Sequence, residues 1–74
     1  MTDHEISVEV GRRIRALREE RRLSVEVFAA MLHVSRAAVG MWERGDRTLT
    51  AAKLCDVASV LGAEPSDFVT GIRL

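Results

Sequence analysis

The chain has little of what several classes of protein require. Its 74 residues hold one cysteine, Cys55, one proline, Pro65, and no tyrosine, and aromatic residues make up 4% of the total. One cysteine excludes an internal disulfide framework and points to a reducing cytosol. No apolar run approaches the length of a membrane span. Three acids, Asp3, Glu5 and Glu9, precede the first Arg or Lys, and no hydrophobic stretch accompanies them, so a signal peptide is not expected. No β-branched stretch alternates long enough to make a strand, and there is no internal repeat, low-complexity run or linker. Net charge is zero, with 11 basic and 11 acidic side chains, which weighs against a strongly basic nucleic-acid binder. His4 and His33 have no Cys, His or paired carboxylate at ligand spacing, so neither a metal nor a cofactor is expected. No His, Ser or Lys is placed to make Glu19 and Glu20, or Glu43 and Asp46, catalytic. So small a domain also leaves little room for a pocket, and an enzyme is not expected.

What remains is a single small domain near the lower size limit for a self-sufficient core. Its organising stretch is residues 24–45. Ser24 is suited to N-cap a helix on which Phe28, Ala29 and Leu32 share one face. His33-Val34 breaks that period. Ser35 offers a second N-cap, Val39 and Trp42 form the next apolar face, and Gly45 fits the left-handed stop. Two helices this short must pack on something else. The preceding residues predict a first helix from Ser7 to about Arg22, with Ile6, Val10, Ile14 and Leu17 as its stripe and Gly11 permitting close approach of a neighbour. Residues 1–6 read as a loose tail. After a loop at Asp46–Leu49, Thr50 caps a fourth helix over residues 51–61, with Leu54, Val57, Ala58 and Leu61 inward and Gly62 as its stop. Pro65 opens a short fifth helix, with Phe68 and Val69 packing back. Residues 71–74 form an exposed apolar end. The prediction is an all-α, compact bundle of five short helices, with a domain over 7–70. Cys55 reads as a small, partly buried side chain.

The charges are unevenly spread. Arg12, Arg13, Arg15, Arg18, Arg21 and Arg22 fall in residues 10–24 against only Glu19 and Glu20. A basic face for phosphates and an ordinary solvated helix face are both consistent with this run.

Taken in order, Gly11-Arg12-Arg13-Ile14-Arg15-Ala16-Leu17-Arg18, Leu23-Ser24, Ala29, Val34-Ser35-Arg36, Trp42-Glu43-Arg44-Gly45 and Leu54…Ala58…Leu61-Gly62 resemble the Cro/Xre-type helix-turn-helix family, the lambda-repressor-like DNA-binding domain of phage and bacterial repressors. Each motif alone is weak; together they span some fifty residues. The resemblance implies sequence-specific binding of double-stranded DNA by a small cytoplasmic transcription regulator, a repressor. The third helix would lie in the major groove and a homodimer would bind a two-fold operator. It also implies roles by position. Arg36, Ala37, Gly40 and Met41 would read bases, Arg36 by a bidentate contact to guanine and Ala37 and Met41 by contact with thymine methyls. Ser24, Ser35, Arg44, Arg47 and Thr48 would hold phosphates. Arg18 and Glu43 match a family pair that ties the first helix to the end of the third.

The chain departs from the family pattern at Val25, where a polar residue is usual, and at His33, where glycine is usual. Its reading face is also poor in hydrogen-bonding groups. The residues left for a dimer contact are Leu49, Val60, Phe68, Val69, Ile72 and Leu74. A second reading keeps the fold but makes it a protein-binding module, antitoxin-like, using an apolar surface of Val25, Val27, Ala37, Gly40 and Met41.

Overall fold

The structure, a computed structural model, describes residues 1–73. These form four α-helices, α1 (Asp3–Glu20), α2 (Val25–Leu32), α3 (Arg36–Arg44) and α4 (Ala51–Leu61), followed by a 3₁₀ turn at Pro65–Phe68. The predicted fifth α-helix is therefore one tight turn. Pro65 sits at its start, as expected, but the backbone leaves helical geometry at Val69, where φ is −129°.

Each α-helix starts on a side-chain cap. Ser24, Ser35 and Thr50 accept from the backbone N–H groups of Val27, Ala38 and Lys53, all at 3.1 Å. The first helix begins four residues before the predicted Ser7. Thr2 accepts from the Glu5 N–H, and Glu5 accepts in return from the Thr2 N–H, both at 3.1 Å. This reciprocal box satisfies two orphan donors and makes residues 3–6 helical, where a loose tail was expected. Ser7 pairs instead with the Thr48 hydroxyl at 3.2 Å.

The helices also end alike. Arg22, His33, Gly45 and Gly62 all take a positive φ, between 57° and 79°. After each, the next N–H reaches back to close the helix; Val34 N–H donates to the Ala29 carbonyl at 3.0 Å. His33 therefore makes the tight corner without glycine, at a conformational cost that short polar and His side chains bear better than most.

The core is continuous through all these elements. Ile14, Phe28, Val39, Val57, Leu61 and Phe68 are almost fully buried, and Ala29 lies beneath the α2–α3 corner. The helix α1 packs chiefly on α3, and α2 joins α3 to α4. The α1–α3 crossing is so close that a Cβ at Gly11 would collide with the Trp42 carbonyl and lie 2.8 Å from that of Glu43. A Cβ at Gly45 would meet the Val8 backbone at 2.6 Å. Phe68 is 1% exposed, so it cannot serve the dimer contact expected of it. Cys55 is exposed rather than partly buried, because it lies on the outer side of α4. The expectation for Leu74 falls outside the described residues.

Helix propensity alone would make Gly11→Ala stabilising by about 1 kcal/mol. The collision with two backbone carbonyls reverses that sign, because overpacking a closed crossing costs about 1–3 kcal/mol. Urea denaturation followed by circular dichroism is expected to show a lower midpoint for Gly11→Ala. An unchanged midpoint would mean that α1 and α3 separate without cost.

Candidate nucleic-acid interface

The inner side of α3 is fastened before its outer side is considered. Arg18 donates from Nε and Nη2 to the two carboxylate oxygens of Glu43, at 2.6 and 3.1 Å. Its Nη1 donates to the Leu23 carbonyl at 2.7 Å. The two side chains are only 9% and 8% exposed. Bidentate geometry plus a third acceptor satisfies most of the fork, which is what a buried charge needs. Arg18 thus ties α1, the corner at Leu23 and the end of α3 together.

With Val39 and Trp42 turned inward, α3 presents Arg36, Ala37, Gly40, Met41 and Arg44 outward. These residues line one shallow, open cleft together with Val25 and Glu26 of α2. All four expected base-reading positions meet there. Arg36 and Ala37 are exposed, while Gly40 and Met41 are half-buried. The Arg44 guanidinium lies over Gly40, since a Cβ at that glycine would come within 3.0 Å of Arg44 Nη1. Arg44 Nε donates to Asp46 at 2.9 Å. Arg36 Nη1 donates to Glu26 at 2.8 Å.

The expected phosphate-holding residues divide into two groups. Ser24 and Ser35 sit at the starts of α2 and α3 as caps, and their hydroxyls keep a proton to donate. Arg44, Arg47 and Thr48 follow one another around the end of α3, all exposed, with Thr48 against Ser7.

The arginine run of α1 lies elsewhere. Arg12 and Arg13 share Glu9, holding its carboxyl down to about 2. Arg13 also donates to the Thr70 carbonyl at 2.7 Å, and Arg21 to the Leu61 carbonyl at 3.1 Å. Arg15 faces Glu19 at 3.6 Å. The run therefore ties down the C-terminal segment and the end of α4 more than it builds a basic face. Sequence reasoning missed this because the acceptors are backbone carbonyls far along the chain. It also did not pair Glu26 with Arg36 or Asp46 with Arg44; Asp46 stands two residues from Arg44, which was an available signal, but Glu26 lies ten residues from Arg36. Of the apolar surface of the second reading, Val25, Ala37, Gly40 and Met41 line the same open cleft. Val27, 49% exposed, lies outside the cleft, and Glu26, Arg36 and Arg44 line it beside the apolar residues.

Residues 14–68 match the family model described as helix-turn-helix, and the chain belongs to that family, of Cro/Xre type. It is similar to YazB of Bacillus subtilis (strain 168), named an uncharacterized HTH-type transcriptional regulator. The two are 45% identical over 51 residues, covering 69% of this chain and 74% of that one. Among solved structures it resembles an HTH_3 family transcriptional regulator from Vibrio cholerae, with TM-score 0.83 and 36% identity over 90% of this chain. It also resembles the restriction–modification controller protein C.AhdI from Aeromonas hydrophila, with TM-score 0.80 and 34% identity, covering 84% of this chain and 94% of that one. The chain spans 38% of the Vibrio cholerae protein. It spans 61% of a Rhodospirillum rubrum relative named an uncharacterized transcriptional regulator in the ATPase CF(0) region, at 34% identity over 90% of this chain.

Removing one partner of the Arg18–Glu43 pair strands a desolvated charge. Arg18→Met or Glu43→Leu is expected to cost about 3–5 kcal/mol in denaturant unfolding. The double variant Arg18→Met/Glu43→Leu is expected to cost clearly less than the two single losses added together. Strictly additive losses would show that the two side chains do not act as a pair.

Proposed function

We propose that this chain binds double-stranded DNA as a small transcription regulator in the bacterial cytoplasm, with residues 24–45 as its binding unit. In this reading α3 enters the major groove and α2 lies across the backbone. The observation that carries it is the outward face of α3. Arg36, Ala37, Gly40 and Met41 stand together in one open cleft while the Arg18–Glu43 pair holds the helix from behind. Arg36 takes the part of a guanine reader through its fork of donors. Met41 and Ala37 give apolar contact to thymine methyls. Ser24, Ser35, Arg44, Arg47 and Thr48 hold phosphates and set register. Family membership supports this reading, as do relatives named as transcriptional regulators.

The finer reading is a repressor that acts as a homodimer on a two-fold operator, with half-sites about one helical turn apart. After the loss of Phe68, the described residues available for the dimer contact are Leu49, Val60, Val69 and Ile72, of which Val69 is exposed and the others half-buried.

Fluorescence anisotropy with a random-sequence duplex over a salt series tests the reading. Wild type is expected to bind with a steep log–log salt slope, and Arg44→Ala to lower that slope by about one unit. Arg36→Ala is expected to weaken the preference for a selected operator more than it weakens binding to random duplex. Absence of binding at low salt would sink the DNA reading. Sedimentation of a monomer at high micromolar concentration, with and without DNA, would sink the dimer.

A further inference from the structure

The cleft that faces outward from α3 contains an acid. Glu26, in the first turn of α2, accepts from Arg36 Nη1 at 2.8 Å. Both side chains are well exposed, 60% for Glu26 and 69% for Arg36. No packing holds the pair, so only charge and hydrogen bonding set where the guanidinium points. A carboxylate is an unusual group on a surface meant to meet DNA. In the proposed binding mode it faces phosphates of its own sign, at a cost.

The chemistry of Arg36 explains what that cost can achieve. Guanidinium has five N–H donors, and one contact to Glu26 leaves most of the fork to give. A guanine edge offers the neutral acceptors O6 and N7. Arg36 can keep Glu26 and take guanine together, because no second full negative charge arrives. A phosphate oxygen brings one. Contact with phosphate then either separates Arg36 from Glu26 or places two anions around a single cation. Glu26 also stays ionised. Its carboxyl is held below the usual carboxylate range, first by its own backbone N–H at the start of α2 and then by Arg36. The start of α2 thereby already faces an anion, which further lowers its attraction for phosphate.

We infer that Glu26 is a specificity-determining residue, which holds Arg36 toward a base edge and penalises the use of that arginine for generic phosphate contact. The inference rests on the DNA-binding reading above. It makes Glu26 a positioning residue, acting through Arg36.

The test compares wild type, Glu26→Gln, Arg36→Ala, the double variant Glu26→Gln/Arg36→Ala and the control Glu19→Gln. The control removes the same charge beside Arg15 on α1. Two readouts are taken: affinity for a short random-sequence duplex over a salt series, and guanine enrichment after selection from a randomised duplex pool. Glu26→Gln is expected to bind random duplex roughly fivefold more tightly at low salt, the effect of one close charge contact in water. Its salt slope is expected to steepen by up to about one unit as Arg36 turns to phosphate. Guanine enrichment is expected to fall. Glu19→Gln is expected to gain less affinity and to keep its enrichment. In the Arg36→Ala background, Glu26→Gln is expected to leave the remaining enrichment unchanged. Wild type that binds while Glu26→Gln matches Glu19→Gln in both readouts overturns the inference alone. A failure of every form to bind duplex at low salt overturns the DNA reading and this inference with it.

Discussion

Arg18 and Glu43 meet in a place that water scarcely reaches, and the geometry of the rest follows from keeping them there. Two charges out of water are tolerable only if each is matched. The match here demands that α1, the Leu23 carbonyl and the last turn of α3 hold fixed mutual positions. Gly11 makes the approach possible. A Cβ at that position would collide with the α3 carbonyls of Trp42 and Glu43 and press against the turn that carries the Glu43 carboxylate. One missing Cβ and one buried ion pair are thus two halves of the same constraint.

The constraint has a directional result. Glu43 is fixed from behind, Trp42 and Val39 are in the core, and the helical period then sends Arg36, Ala37, Gly40 and Met41 to the opposite side. The α2–α3 corner sets the angle at which that side is offered. Ala29 lets the two helices close upon each other, and His33 turns the chain at φ 57°. A surface helix of nine residues has little stability alone. Its orientation comes from these tertiary ties, and a change at Gly11 or Arg18 would therefore reach the outward face without touching it.

How much of this was legible in the sequence depended on whether the cause was local. The caps Ser24, Ser35 and Thr50 and the stops Gly45 and Gly62 act within one turn of their own positions, and each stands where the pattern put it. The start of α1 was missed because the apolar stripe begins at Ile6, while the box that begins the helix, Thr2 with Glu5, lies in a polar stretch. The end of α1 was read at about Arg22, but the left-handed conformation there was not foreseen, because Arg22 carries it without being glycine. Phe68 and Val69 are adjacent apolar residues, and only the path of the 3₁₀ turn determines that Phe68 is buried and Val69 exposed. Least legible was the arginine run. Arg13 and Arg21 find carbonyls 57 and 40 residues away, and no spacing within α1 could disclose that. At the candidate site, the outward positions of α3 followed from the resemblance to the helix-turn-helix family, but the acids that flank it did not. Glu26 lies ten residues from Arg36, across the corner.

Those acids bear on the zero net charge, the one feature of composition that weighed against nucleic acid. Net charge governs the long-range field and hence steering; it does not govern what a bound phosphate meets at contact distance. The arginines at both ends of α3 are each matched by one exposed acid, Arg36 by Glu26 and Arg44 by Asp46. Exposed pairs of this kind are worth little, about 0–1 kcal/mol, so the acid adds a modest penalty to phosphate contact without forbidding it, and a base edge that leaves the pair intact escapes that penalty. In the proposed mode, binding is then an exchange of partners at Arg36 and Arg44 rather than capture by a basic field. Such a surface gains less from DNA at random than an unpaired cluster would, because a generic contact at Arg36 or Arg44 first displaces an acid. It loses less where the edge of a base lets the pair persist. Neutrality and recognition are compatible on these terms, since the charge that cancels Arg36 at a distance is the same charge that restricts what Arg36 will accept.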